Sequence, residues 1–209
     1  MRLLVVGANG RTGRILVRLA LDRGHFVTAF VRTDSGPSGS VPRLTTIVGD
    51  VLVPDTLPLA LAGQDAVISL LAPRPRRNGR VYIEGTRNLA DAAARTGVRR
   101  FVAVSAEGAG VDPRRLPLSY RLVMLIPVVA KLYPDIARMD RELEGRADLD
   151  WTIVAPAVLT NGPFTGRYRT VTGDVVPGGR SISRADLAAF LLDVVESGRH
   201  VRERVSVAD

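Results

Sequence analysis

Short, continuous runs of apolar residues alternate along this chain with longer stretches in which apolar positions recur every three or four residues. Continuous runs of strand length are typical of strands covered on both faces, and the wider spacing is typical of helices. Strands alternating with helices predict an α/β fold of the Rossmann type, a doubly wound parallel sheet in a single domain. The predicted strands are residues 3–6, 26–31, 44–48, 66–71, 98–104, 148–154 and 205–207, with a short strand pair around 168–176.

The helical stretches between these runs have recognisable ends. The first helix is predicted to end near residues 22–24. Three later helices are predicted to span residues 55–61, 81–96 and 185–196. Ser183 is expected to cap the last of these, with Asp186 at the third position after it as in a capping box. Two prolines, Pro127 and Pro134, are expected to break the helical region between the fifth and sixth strands.

Three glycines spaced three apart follow the first predicted strand directly, namely Gly7, Gly10 and Gly13. Gly7 lets the chain leave the strand sharply, and the missing Cβ of Gly10 lets backbone N–H groups approach a pyrophosphate. Gly13 lets the next helix lie close to the sheet, and the start of that helix favours anions. Ordinary strand-to-helix turns also contain glycines, but the position between a strand and a helix favours a dinucleotide-binding site.

Composition excludes several other classes of protein. Cysteine is absent from the 209 residues, so disulfides, thiolate metal sites and a cysteine nucleophile are excluded, and we expect no metal site. The first apolar run is too short for a signal peptide. The later apolar stretch 122–130 contains Pro127 and is too short to span a bilayer. We therefore expect a cytoplasmic protein without a membrane segment.

The formal net charge of +8 fits either nucleic acid or anionic small molecules. All basic residues except Lys131 are arginines, and they are scattered among 21 acidic residues. The one tight basic cluster lies in a Pro/Gly-rich loop and consists of Arg74, Arg76, Arg77 and Arg80. We therefore expect an anionic small molecule as the ligand and not a nucleic acid.

The end of the second strand indicates the type of cofactor. An acid at this position binds the ribose 2′-hydroxyl of NAD, whereas an arginine suits the 2′-phosphate of NADP. Arg32 stands here, with the hydroxyls of Thr33 and Ser35 nearby, so we expect NADP(H). Two alternatives stay open: Arg32 as an ordinary arginine at a strand end, and Asp34 as the partner of a ribose.

Later strand ends carry further candidates, because the carboxyl ends of parallel strands meet at one edge of the sheet. After the third strand, Asp50 is placed to bond the adenine amino group while Val51 packs on the ring. Asp50 equally suits a cap at a helix start. The small and apolar residues 70–72, which end the fourth strand, suit contact with ribose and nicotinamide.

Eight motifs occur in an order that resembles one known family. They are GANGRTG at 7–13, VR at 31–32, GDV at 49–51, LLA at 70–72, VSA at 104–106, LDWTIV at 149–154, GPFTGRY at 162–168 and ISRADL at 182–187. Over essentially its whole length the chain resembles the atypical short-chain dehydrogenase/reductases of the NAD(P)H-binding, NmrA-like group. Within that group it is most similar to the flavin reductase/biliverdin reductase B type.

This resemblance implies an NADP-binding Rossmann domain over residues 1–209 that reduces flavins, quinones or linear tetrapyrroles, the part from about residue 156 adding the acceptor-pocket loop and the last helix. By position, it implies that the pyrophosphate is held by Gly7, Asn9, Gly10, Arg11, Thr12 and Gly13, the 2′-phosphate by Arg32, the adenosine by Asp50 and Val51, and the ribose side by Leu70, Leu71 and Ala72. It also implies that Ser105 lies by the nicotinamide, with Pro156, Val158 and Leu159 shaping its far wall.

The chain departs from this family in its proton-transfer residues. Short-chain dehydrogenases use a Tyr-x-x-x-Lys pair, and this pair cannot exist here because Lys131 follows Pro127 by four residues. Flavin reductase relatives carry a histidine in the loop after the sixth strand, where this chain has Val158. The two histidines that are present, His25 and His200, are expected at the surface.

Ser105 is therefore the hydroxyl that we expect beside the nicotinamide, although a serine that ends a strand also commonly caps a loop. Tyr120 and Glu107 are looser catalytic candidates. A ketone that accepts hydride needs a positioned acid, whereas a flavin or quinone can take its proton from water. The missing Tyr/Lys pair thus argues against alcohol dehydrogenation, and also against a sugar-nucleotide epimerase.

Two hypotheses about function follow. The first is an NADPH-dependent oxidoreductase that transfers hydride to a flavin, quinone or similar small molecule, bound at the ends of strands four to six and at loop 160–166. The second is a non-catalytic, NADP(H)-binding redox-sensing regulator of the NmrA type, which contacts a protein partner through residues 113–134. We expect a monomer or a homodimer, with the apolar stretch 122–132 either in the core or at a dimer contact.

Overall fold

The computed structural model describes residues 1–33, 41–72, 80–112, 114, 116, 120–121 and 125–209. Within them the strands are β1 (Arg2–Val6), β2 (Phe26–Val31), β3 (Leu44–Val48), β4 (Ala66–Ser69), β5 (Arg100–Val104), β6 (Asp150–Pro156), β7 (Val158–Thr160), β8 (Arg169–Thr172), β9 (Ser181–Ser183) and β10 (Glu203–Ala208). The helices are α1 (Arg11–Asp22), α2 (Leu57–Leu61), α3 (Arg80–Arg95), α4 (Pro127–Glu144) and α5 (Arg184–Ser197), and a 3-10 turn (Pro54–Thr56) leads into α2.

Eight of these strands form one sheet in the order β3-β2-β1-β4-β5-β6-β10-β8. Neighbouring strands run parallel throughout, except that β8 runs antiparallel to β10. The order in which strands are added to the sheet reverses between β1 and β4. A crevice forms there at the carboxyl ends of the central strands. The predicted Rossmann-type doubly wound sheet is therefore confirmed.

Helices cover both faces of the sheet, and alternate residues of β1 serve the two layers. Leu3 and Val5 pack in the cluster that includes α1 and α5. Leu4 and Val6 pack in the cluster that includes α2, α3 and the end of α4. Burial on both faces explains why β1 is a continuous apolar run instead of an alternating one.

The prediction that prolines break the region before β6 is wrong. Helix α4 begins at Pro127 and continues through Pro134 to Glu144. A proline in the first turn removes no helical hydrogen bond, because that N–H has no partner inside the helix. Pro134 leaves the carbonyl of Ala130 without its usual N–H donor, but both residues are exposed, so water can reach that carbonyl.

The predicted strand pair around residues 168–176 is also wrong. One strand forms there, β8, and its partner is β10, with Thr172 opposite Val205. Two further strands were missed, β7 and β9, which pair in parallel as a separate small sheet. Each has three residues, a length at which no periodicity can be recognised in a sequence.

His25 is buried, with 7% of its surface exposed, so the expectation of a surface residue is wrong for this histidine. Its Nε2 lies 2.6 Å from Oε1 of Glu196 on α5. The carboxylate brought over by α5 gives the imidazole a polar partner at the edge of the core, which the local sequence does not reveal. His200 is half-buried, with Nδ1 at 2.7 Å from Oε2 of Glu203.

Several expectations fall outside the described residues. They concern Asp34, Ser35, the arginines at 74, 76 and 77, and parts of the stretches 113–134 and 122–132. Of the basic cluster, Arg80 is described, and its guanidinium pairs with Glu84, four residues later on α3, at 2.8 and 2.7 Å.

The start of α5 anchors the loop that precedes β8. As predicted, the Ser183 hydroxyl caps this helix by accepting the N–H of Asp186 at 2.9 Å. The buried Asp186 carboxylate accepts the backbone N–H groups of Thr165 and Gly166, both at 2.8 Å, and the hydroxyls of Thr165 and Ser183. Burial by itself raises the pKa of Asp186, but these hydrogen bonds outweigh burial and the net pKa is lowered.

We predict that Asp186→Asn lowers the free energy of unfolding by about 2 kcal/mol at neutral pH, since hydrogen bonds to a charged group contribute roughly 1.5–3 kcal/mol. Urea unfolding measures this change, with the exposed Asp22→Asn on α1 as the matched control. Because the pKa of Asp186 is lowered on folding, the advantage of the wild type is present above the unfolded-state pKa and is lost as the pH falls through the folded-state pKa. Equal losses in the two variants would contradict the anchoring role.

Candidate functional site

The three glycines form a turn that leaves no room for side chains at two positions. Gly7 has a φ of +83°, and a Cβ there would lie 2.6 Å from the carbonyl oxygen of Leu70 at the end of β4. A Cβ at Gly13 would lie 2.3 Å from the carbonyl oxygen of Gly7. At Gly10 the nearest atom, the Gly7 oxygen, is 3.1 Å away. Gly7 and Gly13 therefore set how closely β1, β4 and α1 approach, whereas the surface above Gly10 is open to a ligand.

Helix α1 presents its N-terminus at this turn. Its N-cap residue is Gly10, no side chain caps it, and its first turn carries no acid. The first-turn N–H groups and the helix dipole therefore favour an anion. Arg11 and Arg184 add positive charge: burial, and then the charge of Arg11, lower the pKa of the Arg184 guanidinium. Two cations close together at a helix N-terminus suit a pyrophosphate.

A groove with a volume of about 310 Å³ runs along the carboxyl ends of β1, β2, β3 and β4. Nine of the residues predicted to bind the cofactor line it: Gly7, Asn9, Gly10, Arg32, Asp50, Val51, Leu70, Leu71 and Ala72. The remaining predicted pyrophosphate residues, Arg11, Thr12 and Gly13, form the first turn of α1 beside it. Their role in binding stays a prediction, but the fold brings them to one place.

Arg32 and Thr33 line this groove directly after the end of β2. Asn9 donates from Nδ2 to the carbonyl oxygen of Thr33 at 3.2 Å, which joins the glycine turn to the residues after β2. Arg32 is exposed, and none of the described carboxylates pairs with its guanidinium. Asp34 and Ser35, which were expected beside it, lie outside the described residues.

Asp50 takes part in a local turn at the groove. Its Oδ1 accepts the N–H of Leu52 at 3.0 Å, as the side chain does in an Asx turn. The capping alternative is wrong, because the N-cap residues of the 3-10 turn and of α2 are Val53 and Thr56 and neither helix start has a side-chain cap. Asp50 lines the groove, so its position suits an adenine contact. Sequence reasoning missed Phe30 and Val81, which complete the apolar wall.

Ser105 lies at the end of β5, between the ends of β4 and β6 in the sheet. It is buried, and its hydroxyl donates to Oδ2 of Asp140 on α4 at 2.7 Å. Burial raises the pKa of Asp140 to about 6, and the hydrogen bond from Ser105 and the charge of Arg204 limit this rise. The predicted catalytic hydroxyl therefore points to a carboxyl group in the resting structure.

A second, smaller pocket of about 190 Å³ lies beyond Ser105, at the ends of β5 and β6. Its lining residues are Ala106, Glu107, Tyr120, Tyr133, Pro156, Ala157, Val158, Gly179 and Arg180. It includes the predicted wall residues Pro156 and Val158, whereas Leu159 packs against the core cluster beside α5.

Tyr120 and Glu107 form a pair inside this second pocket. The Tyr120 hydroxyl donates to Oε2 of Glu107, and Oε1 of Glu107 accepts the N–H of Val176 at 2.7 Å. Burial raises the pKa of Glu107, and the hydrogen bond from Tyr120 limits this rise. Burial and then the hydrogen bond to Glu107 raise the pKa of Tyr120. Tyr120 therefore stays protonated throughout the neutral range.

Sequence reasoning missed Asp140, Arg204 and Arg184. A signal for Asp140 was available, because it stands among apolar positions on α4 that are buried, namely Ile136, Met139 and Leu143. An acid in a buried stripe needs a partner. No comparable signal identifies Arg204, which joins the network from β10 across 64 positions of the chain.

Within the described ranges, no group of three or more metal-binding side chains lies together. None of the described helices has the length and apolar character needed to cross a bilayer.

Comparison with known proteins agrees with this architecture. A profile of the family described as NAD(P)H-binding matches residues 7–198. The solved structure of a Streptococcus pneumoniae protein proposed to be an NADH-flavin reductase superposes with a TM-score of 0.81 at 27% identity, covering 100% of this chain and 99% of that one.

Two curated relatives are longer proteins. The 3-beta-hydroxysteroid dehydrogenase of Mycolicibacterium neoaurum is 39% identical over 113 residues, which are 48% of this chain and 31% of that protein. The Photosystem II assembly factor Ycf39 of Synechocystis is 32% identical over 172 residues, which are 80% of this chain and 48% of that protein. The chain thus spans less than half the length of either relative.

The glycine turn, the groove along the strand ends and the family match over most of the chain lead to one conclusion. The expected place among the atypical short-chain dehydrogenase/reductases is confirmed, and the chain belongs to the NAD(P)H-binding family.

Proposed function

We propose that this protein is an NADPH-dependent oxidoreductase that transfers a hydride to a flavin, a quinone or a similar conjugated small molecule. The observation that carries the proposal is the continuous order of features along one sheet edge. Arg32 lines the groove after β2, Ser105 lies directly after β5, and the second pocket opens at the ends of β5 and β6. If a dinucleotide lay along this groove with its adenosine end at Arg32, its nicotinamide end would lie towards the second pocket.

The preference for NADPH rests on Arg32. A guanidinium binds a phosphate monoester through charge-assisted hydrogen bonds, and Arg32 is exposed in the groove beside the polar Thr33. The groove also has an apolar wall, in which Phe30 and Val51 are placed to pack against the adenine. We infer that this arrangement binds the adenosine end through one charged contact and a flat apolar wall.

The bound nicotinamide supplies the hydride, and the residues of this chain orient the two reactants and control protons. Gly10 and the first turn of α1 would hold the pyrophosphate at the groove along the strand ends. The part from about residue 156, including Val158, forms one wall of the acceptor pocket. A conjugated acceptor delocalises the incoming charge, so close orientation supplies much of the rate.

One observation favours the alternative, an NADP(H)-binding regulator without catalysis. Both candidate hydroxyls, those of Ser105 and Tyr120, donate to carboxylates of the protein, Asp140 and Glu107, and not into open space. A relative such as Ycf39 is described as an assembly factor and not as an enzyme. Turnover distinguishes this alternative from the reductase.

We predict that the purified protein oxidises NADPH with saturation kinetics when FMN or a quinone is present, and only slowly without an acceptor. Absorbance at the NADPH band measures the rate, and NADH serves as the control cofactor. Tight binding of NADPH without acceptor-dependent oxidation by any flavin or quinone would favour the regulator instead.

We predict that Arg32→Ala weakens NADPH binding roughly 10- to 150-fold, since losing a charge-assisted contact costs about 1.5–3 kcal/mol. The affinity for NADH should change little. Calorimetry gives both dissociation constants. Arg95→Ala is the matched control, because it removes an equal charge at an exposed position outside the groove. If Arg32→Ala weakens NADPH and NADH binding equally, Arg32 does not recognise the 2′-phosphate.

The acceptor pocket can be tested separately through Val158, of which 59% is exposed. Val158→Trp should fill the pocket and lower kcat/KM for the acceptor by about tenfold or more, a loss of roughly 1.4 kcal/mol. The dissociation constant of NADPH should stay the same. Val201→Trp, at a surface position that lines neither cavity, is the control. An unchanged kcat/KM would place the acceptor elsewhere.

A further inference from the structure

Asp140 is a buried carboxyl group whose two oxygens have unequal surroundings. It is 3% exposed, and its Oδ2 accepts the Ser105 hydroxyl at 2.7 Å and lies 3.4 Å from Nε of Arg204. Within the described part of the chain, its Oδ1 has no hydrogen-bond partner. Keeping a buried carboxylate ionised with one oxygen unsatisfied costs free energy, and protonation removes this cost.

The protonation state of Asp140 determines what the Ser105 hydroxyl can do. An ionised carboxylate only accepts hydrogen bonds, so the Ser105 O–H must point back to Oδ2. A protonated carboxyl group donates from Oδ2 to Ser105 Oγ, which frees the Ser105 O–H to donate elsewhere. Ser105 ends β5, between the groove that ends at Leu70–Ala72 and the pocket that begins at Ala106.

We propose that Asp140 is a positioning residue that controls where the Ser105 hydroxyl donates its hydrogen bond: to Oδ2 when Asp140 is ionised, and to the oxygen of a bound quinone-type or flavin-type electron acceptor when Asp140 is protonated. This inference rests on the proposed reductase function. It deepens that function by selecting acceptors with an oxygen that gains negative charge during reduction. Such an oxygen needs the donor that an ionised Asp140 withholds.

The proton balance is complete. As the acceptor receives a hydride from the nicotinamide, Ser105 Oγ gives its proton to the acceptor oxygen and takes the proton of Asp140 Oδ2. Asp140 is left as a carboxylate, which Arg204 stabilises, and water later restores its proton. The net change is one hydride and one proton added to the acceptor, with one proton taken from solvent.

The charged and titratable groups around Asp140 are compatible with this switch. β10 contributes Arg204, whose guanidinium also donates to the carbonyl oxygens of Ala106 and Ala109 at 3.1 and 2.9 Å. On α4 itself, the charge of Glu144 raises the pKa of Asp140 slightly. From α3, Tyr82 faces the neighbouring apolar cluster, and burial raises its pKa to about 12, so it stays neutral. Burial is the largest influence and raises the pKa of Asp140, and the hydrogen bond from Ser105 and the contacts with Arg204 limit the rise to about 6.

The first experiment measures kcat for a quinone between about pH 5 and pH 8, with NADPH saturating because its phosphate monoester also titrates near pH 6. We expect kcat to fall about tenfold per pH unit above the inflection, as protonated Asp140 is lost. Asp140→Asn cannot titrate, so its kcat should be flat across this range. Asp135→Asn, the same change on the same helix, should keep the wild-type profile. An inflection that persists in Asp140→Asn would overturn the proposal.

A second readout does not depend on turnover. Because the pKa of Asp140 is raised on folding, its contribution to stability is complete below the unfolded-state pKa and is lost as the pH rises through about 6. The Tm of the wild type relative to Asp140→Asn should therefore fall between about pH 5 and pH 7.5. Ser105→Ala removes a hydrogen bond that lowers this pKa, so in that background the fall should move to higher pH.

These two readouts separate the possible failures. If no acceptor is reduced but the Tm difference titrates and shifts with Ser105→Ala, the proposed function fails while the coupling of Asp140 to Ser105 stands. If the Tm difference is the same at both pH values, the coupling is overturned whether or not the protein is active.

Discussion

The close approach of α1 to the end of β1 is the constraint on which the rest of the site depends. A Cβ at Gly13 would lie 2.3 Å from the carbonyl oxygen of Gly7, so no other residue allows this spacing. Gly7 itself has a positive φ and lies against Leu70 of the neighbouring strand. This close packing places the uncapped N-terminus of α1 at the sheet edge where β1, β2 and β4 end. The groove and its affinity for an anion both follow from this one contact.

A second physical theme is the pairing of hydroxyls with buried carboxyl groups. Ser105 donates to Asp140 and Tyr120 donates to Glu107, and burial raises the pKa of both acids. In a low-dielectric site an ionised acid strongly orients a neighbouring O–H, and a protonated acid releases it. The absence of a Tyr-x-x-x-Lys pair therefore does not leave this sheet edge without exchangeable protons. Carboxyl groups carry the exchangeable protons here instead, and they titrate at a lower pH than a tyrosine does.

Features that depend on a short stretch of sequence were predictable, and contacts between distant stretches were not. The glycine turn, the bounds of β2 and β3 and the Ser183 cap each depend on neighbouring residues, and they agree with the structure. The partner of β8 is β10, about thirty positions away, and the contact of Ser105 with Asp140 spans 35 positions. Pro134 was misjudged for another reason: a proline is tolerated in a helix where the freed carbonyl faces water.

The site has a cofactor half and a proposed acceptor half, and family membership predicts the structure of the first better than that of the second. The cofactor half is built from backbone groups and glycines at the ends of adjacent strands, so any chain with this turn and sheet order reproduces it. The proposed acceptor half is built from side chains that reach one pocket from separate parts of the chain, such as Glu107, Tyr133, Val158 and Arg180. Val158 and Arg180 are exposed, so these two positions can change at little cost to the core. Relatives as different as a steroid dehydrogenase and an assembly factor can thus share the first half, and the chemistry of this protein depends on the second.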